Sequence, residues 1–140
     1  MFCPTDRAVS NIQKTGVKEG IYKTGNTVID ALLYCLKEKS ASVDFINLDP
    51  NLKTILLTSH RRENFGEPLK NICLAARELI EKRSDIQIVY PMHLNPNVRD
   101  TVIPILGGVE RVHLIEPLDY VPFCNLMKHS NIILTDSGAR

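Results

Sequence analysis

Four short apolar runs recur through the later two-thirds of the chain: Thr54-Ile55-Leu56-Leu57-Thr58, Ile86-Gln87-Ile88-Val89-Tyr90, Val112-His113-Leu114-Ile115 and Ile132-Ile133-Leu134-Thr135. None alternates strictly between apolar and polar, which predicts strands covered on both faces. Between the first two, Leu69, Ile72, Cys73, Ala76, Leu79 and Ile80 fall at steps of three and four, the spacing of one helical face. Pro68 suits the first turn of that helix, where its missing N–H has no partner to lose. Asn95-Pro96 predicts an N-cap and first residue, for a helix that bends or ends near Pro104, ahead of Gly107-Gly108. Asp119 is the expected cap of a third helix, carrying Phe123, Leu126 and Met127 inward. Strand and helix alternate with short loops, so the fold class is α/β, a Rossmann-like parallel sheet with right-handed crossovers.

The opening stretch is organised differently. Thr5 is the expected cap of a helix over Asp6 to Lys14, with Gly16 as its stop. Residues 21–24 predict a short strand, Gly25-Asn26-Thr27 a turn and cap, and Ile29, Leu32, Leu33 and Leu36 one face of a second helix. Residues 40–51 are polar and end in Asp49-Pro50-Asn51, a linker signature that puts a boundary near residue 48. Residues 1–47 and 48–140 are the expected units. After the fourth apolar run only five residues follow, so the helix that would cover that strand is expected to lie outside this sequence. The strand it would cover should be adhesive.

Charge narrows the partners. Seventeen Lys and Arg stand against 16 Asp and Glu, a net charge of +1 with both signs scattered. Nucleic acids and anionic membranes are disfavoured, because neither finds a one-sided field here. No apolar run approaches the length of a membrane span, and Met1-Phe2-Cys3-Pro4 does not open a signal peptide. The four cysteines, at 3, 35, 73 and 124, form no C-x-x-C pair, which argues against zinc or a disulfide framework and for a reduced, cytoplasmic setting.

Open parallel sheets bind ligands beyond the carboxyl ends of their strands. Ser59-His60-Arg61-Arg62-Glu63-Asn64 follows the first such strand. Two guanidiniums beside a titratable imidazole suit a phosphate, with Glu63 anchoring one Arg; a solvated polar loop is the plain alternative. His93-Leu94-Asn95-Pro96 follows the second strand, and His93 either shares a cleft with His60 or caps and packs. Phe123 serves the core or the rim of a nucleotide base. Asp136-Ser137-Gly138 could present an Oγ and backbone N–H groups to a phosphate, a weak signal by itself. His113 is expected to be structural and His129 to complement a helix end. No G-x-G-x-x-G, Walker-type or H-E-x-x-H spacing is present.

Five segments in order carry a more specific resemblance: Phe2-Cys3-Pro4-Thr5, residues 24–30 (Thr-Gly-Asn-Thr-Val-Ile-Asp), residues 58–64 (Thr-Ser-His-Arg-Arg-Glu-Asn), residues 93–98 (His-Leu-Asn-Pro-Asn-Val) and residues 134–138 (Leu-Thr-Asp-Ser-Gly). Together they resemble the non-hydrolysing UDP-N-acetylglucosamine 2-epimerases. The resemblance implies part of a two-lobed, glycosyltransferase-B-like fold: residues 1–47 as the tail of the amino-terminal lobe with its crossing helix, and 48–140 as most of the carboxyl-terminal lobe. It implies interconversion of UDP-N-acetylglucosamine and UDP-N-acetylmannosamine by elimination and re-addition of UDP, with no metal or other cofactor, and a homodimer for the complete enzyme. It implies that His60 is the active-site histidine serving the diphosphate, and that Phe123 and Ser137 bind the uridine and phosphate parts. Arg61, Glu63 and His93 are implied near the sugar or a second, regulatory UDP-N-acetylglucosamine. Leu118 stands where some relatives carry Gln, so base contacts there do not transfer. The family's catalytic carboxylates belong to a segment ahead of Phe2, so the chain by itself is expected to be inactive; the alternative is a non-catalytic UDP-sugar-binding module.

Overall fold

The computed structural model describes residues 1–39, 43 and 45–137, and divides into two compact units, residues 1–40 and 41–140. In the first, β1 (Phe2–Cys3) pairs in parallel with β2 (Tyr22–Lys23), and α1 (Asp6–Lys14) connects them. Thr5 caps α1 by accepting from the Ala8 amide at 3.2 Å. Helix α2 (Thr27–Glu38) follows, with Asn26 as its cap. Its expected apolar face is not buried: Ile29 and Leu33 are more than half exposed, and Cys35 is its one buried residue among those described. A two-stranded sheet offers too little surface to cover a four-residue stripe.

The second unit holds β3 (Lys53–Thr58), a 3-10 turn (Arg62–Asn64), α3 (Glu67–Lys82), β4 (Ile86–Pro91), α4 (Pro96–Leu106), β5 (Val112–Ile115), α5 (Tyr120–His129) and β6 (Ile132–Thr135). All four strands are parallel, in the order β5-β4-β3-β6. The chain winds from β3 outward to β5, then returns across to place β6 on the other side of β3. Winding therefore reverses between β3 and β6, the point of an open sheet where loops splay apart and leave a crevice.

Both faces of the central strands are packed, as their unbroken apolar runs predict. Ile55, Leu57, Ile88 and Tyr90 face a core built with Leu69, Cys73, Ala76 and Ile80 of α3 and Val98, Val102 and Leu106 of α4. Leu56 and Val89, one residue out of phase, pack with Leu126 of α5 and with Ile46 on the opposite face. Ile46, with Val43 and Leu48 against the same cluster, belongs to the core of the second unit, so the division between units precedes the Asp49-Pro50-Asn51 turn. Apolar side chains inside a polar stretch hold this segment to the sheet. Residues 40–42 and 44 of the expected linker lie outside the described residues.

Helix α4 carries Pro104 in its last turn and ends at Leu106. Asp119 occupies the N-cap position of α5, but its side chain caps no amide. The edge strand β6 exposes Ile132, Ile133 and Leu134, and an apolar groove of about 510 Å³ runs between it and Ile72, Ala76 and Leu79 of α3.

Candidate functional site

Register decides what meets beyond the strand ends. Thr58 pairs with Thr135 and Pro91 with Ile115, so residues 59–64 and 136–137 leave the sheet side by side, with residues 92–95 next to them. A cavity of about 450 Å³ opens there, lined by His60, His93, Leu118, Phe123, Thr135 and Ser137, together with Thr58, Pro91, Pro117, Met127 and Ile133. That volume lies within the usual range of a few hundred to about 1,000 Å³ for small-molecule sites.

Four of the six residues singled out from the sequence line this one cavity: His60, His93, Phe123 and Ser137. The two imidazoles stack, with ring centroids 5.9 Å apart and planes 15° from parallel. His93 Nδ1 accepts from the Asn95 amide at 3.1 Å, which leaves its Nε2 as the donor. The ring thus turns back onto the Asn95 cap of α4, whose own side chain accepts from Asn97 N. Phe123 sits on the inner side of α5, half buried against the Leu56–Val89 cluster, and presents apolar surface to the cavity. Arg61 and Glu63 do not line it; their side chains pair with each other at 3.2 Å. Arg62 opens the 3-10 turn and is exposed.

Tyr90, which the sequence did not single out, and Asp136, singled out only as part of a phosphate-facing segment, fix the 59–64 loop. Tyr90, fully buried in β4, donates its hydroxyl to the Ser59 carbonyl at 2.6 Å. Burial pushes its phenol above the ordinary value, with Cys73 and Asp136 adding to the shift. Asp136, at the end of β6, accepts on Oδ2 from Ser59 Oγ (3.1 Å), His60 N (3.1 Å), Arg61 N (3.0 Å) and Asn64 Nδ2 (2.8 Å). Burial works against the charged form, but the bonds from Arg61 N, Asn64, Ser59 and His60 N outweigh it and hold the carboxyl below its ordinary value. The Asp136-Ser137-Gly138 segment therefore turns its carboxylate toward the protein and leaves Ser137 at the cavity; Gly138 lies outside the described residues. The signal in the sequence was an Asp at a strand end, unreadable without knowing that β6 lies beside β3.

The other histidines stay outside this cluster. His113 is half buried within β5, where burial lowers its pKa. His129 ends α5, its Nδ1 2.7 Å from the Asn125 carbonyl.

The sequence profile of the UDP-N-acetylglucosamine 2-epimerases matches residues 1–139. The chain belongs to the UDP-N-acetylglucosamine 2-epimerase family. A Thermotoga maritima relative is 51% identical over 140 residues, 98% of this chain and 37% of the relative. The UDP-N-acetylglucosamine 2-epimerase of Escherichia coli K12 is 46% identical, again over 98% of this chain and 39% of its own length. The crystal structure of the Neisseria meningitidis enzyme bound to UDP-GlcNAc superposes with a TM-score of 0.83 at 44% identity, covering 98% of this chain and 39% of that one. The chain thus spans less than two-fifths of the length of these family members, and its α/β fold is part of theirs. No described helix is long and apolar enough to cross a membrane.

Proposed function

We propose that this stretch supplies the UDP-binding side of the active-site cleft in a UDP-N-acetylglucosamine 2-epimerase, which interconverts UDP-GlcNAc and UDP-ManNAc. The observation that carries the reading is the convergence of His60, His93, Phe123 and Ser137 on one cavity at the reversal point of a parallel sheet. His60 and Ser137 serve the diphosphate and Phe123 flanks the uridine. Arg61 and Glu63, paired with each other outside the cavity lining, and His93 serve the sugar side or a second UDP-GlcNAc. In the reaction a base removes the C2 proton while the C1–O bond breaks and UDP departs with its electrons. UDP then adds back to C1 of the 2-acetamidoglucal as a proton reaches C2 from the opposite face. Donors fixed around the departing diphosphate stabilise the charge that develops there. We place the complete enzyme in the cytoplasm, as a homodimer.

None of the described residues lining the cavity is a carboxylate, and Asp136, next to Ser137 in the chain, is turned into the loop. The two imidazoles and the Ser137 hydroxyl suit anion binding, and without a carboxylate beside them the reading favours binding without turnover in this chain by itself. Saturation-transfer NMR with UDP-GlcNAc should show the uridine and sugar protons in contact with the protein, and no UDP-ManNAc anomeric signal should accumulate. Absence of transfer would remove the binding reading; steady epimer formation would remove the claim of inertness. The lack of a carboxylate among those cavity residues also favours a second reading, a sugar-nucleotide-binding module without catalysis. Exchanging this stretch for its counterpart in a full-length family member separates the two: retained epimerisation supports the enzyme, and retained binding with lost epimerisation supports the module.

A further inference from the structure

Four donors beyond the end of β3 converge on one oxygen of Asp136, the residue that follows β6. We infer that Asp136 is the positioning residue of the site: its carboxylate fixes the backbone of His60 and Arg61, and so sets where the His60 imidazole stands at the cavity. This deepens the UDP-binding reading and rests on it for the identity of the ligand.

The geometry is specific. Two consecutive amides, His60 N and Arg61 N, point at Oδ2, flanked by Ser59 Oγ before them and Asn64 Nδ2 after them. A single acceptor thereby gathers both ends of the loop across the gap where the sheet winding reverses. Tyr90 holds the Ser59 carbonyl from the neighbouring strand, so the loop is clamped from β4 and β6 at once. Oδ1 of Asp136 is buried and has no partner among the described residues, so the anchoring falls to Oδ2 alone. Four donors on that oxygen also take up a negative charge that would otherwise repel a diphosphate bound next to it. The charged and titratable groups of the neighbouring elements are His60, Arg61, Arg62 and Glu63 on the loop, Tyr90 and His93 from β4 and its end, and Cys73 of α3, which with Asp136 acts on the Tyr90 phenol. Because β6 ends at Thr135 and the chain runs on through Asp136 into Ser137, one short segment positions the loop on one side and contributes to the cavity on the other.

The test uses Asp136→Asn and Asp136→Ala in the whole chain, with amide resonances followed by NMR. In the wild type the His60 and Arg61 amide protons should titrate together in acid, inflecting below the ordinary aspartate value, and this inflection should vanish in both variants. At neutral pH, amide exchange of His60 and Arg61 should quicken at least ~10-fold in Asp136→Ala, while Ile88 in the core of β4 keeps its wild-type rate. Asp136→Asn, which retains an acceptor oxygen without the charge, should restore part of that protection. Where the wild type binds UDP, its affinity should fall on the order of tenfold in Asp136→Asn and further in Asp136→Ala. Amides indifferent to acid in the wild type, Ile88 exchange quickened as much as His60, or variants binding UDP like the wild type would each overturn the assignment. A wild type that binds no UDP overturns the function proposed above, and the exchange comparison still decides the role of Asp136.

Discussion

Tyr90 and Asp136 do different work on the same loop. Tyr90 is wholly buried, and its hydroxyl has one task, the Ser59 carbonyl. Tyr90→Phe keeps the ring and strands that carbonyl, so unfolding in urea should show a loss of about 1–3 kcal/mol. For Asp136 the effect depends on pH. Its folded-state pKa is depressed, so its contribution is in place at neutral pH and is lost as the pH falls below the ordinary aspartate value of 3.8. The difference in Tm between wild type and Asp136→Asn should therefore be largest near neutrality and close in acid; a difference that widens in acid would contradict it. Cys73 illustrates burial without function: desolvation pushes its thiol up to about 11, so a thiol reagent at pH 8 should leave it unlabelled until the chain unfolds. At this scale the sequence was informative about residue types but not about partners. His60 and Ser137 could be picked from their strand ends, whereas the Asp136 anchor required two segments more than 70 residues apart to lie side by side.

The elements of the second unit were largely legible because their apolar spacing has one solution: runs buried on both faces make parallel strands, and steps of three and four make the covering helices. Asn95 caps α4 with its side chain, yet Asp119 fills the same position before α5 with only its backbone carbonyl accepting, because Asp competence to cap does not fix its rotamer. The stripe on α2 obeyed helical spacing without being buried, since periodicity reports amphipathicity and not whether a partner surface exists. The end of α4 has a sharper requirement. A Cβ on Gly107 would lie 2.5 Å from the Ile103 carbonyl oxygen, at the point where the Gly107 amide closes the helix. Gly107→Ala should lower stability by about 1–3 kcal/mol through that overlap, and a thermal melt unchanged from wild type would show that the turn relaxes freely.

At the scale of the whole molecule, the strand order makes the site and exposes the edge. Reversal of winding between β3 and β6 opens the crevice that His60 and Ser137 flank, and it leaves β6 outermost with Ile132, Ile133 and Leu134 exposed. An apolar edge with unpaired backbone groups promotes association. Light scattering should show the mean mass rising with concentration, and Ile133→Lys should suppress the rise. The near-neutral net charge supplies little repulsion against it. The same balance makes the proposed site local: UDP binding there would rest on a few oriented donors, not on a general field. Calorimetric titration of UDP into the chain tests this most directly, with His60→Ala alongside. Saturable binding at one site per chain, weakened at least ~10-fold in His60→Ala, is the predicted result; no heat at millimolar UDP, or equal affinity in the two proteins, would contradict it.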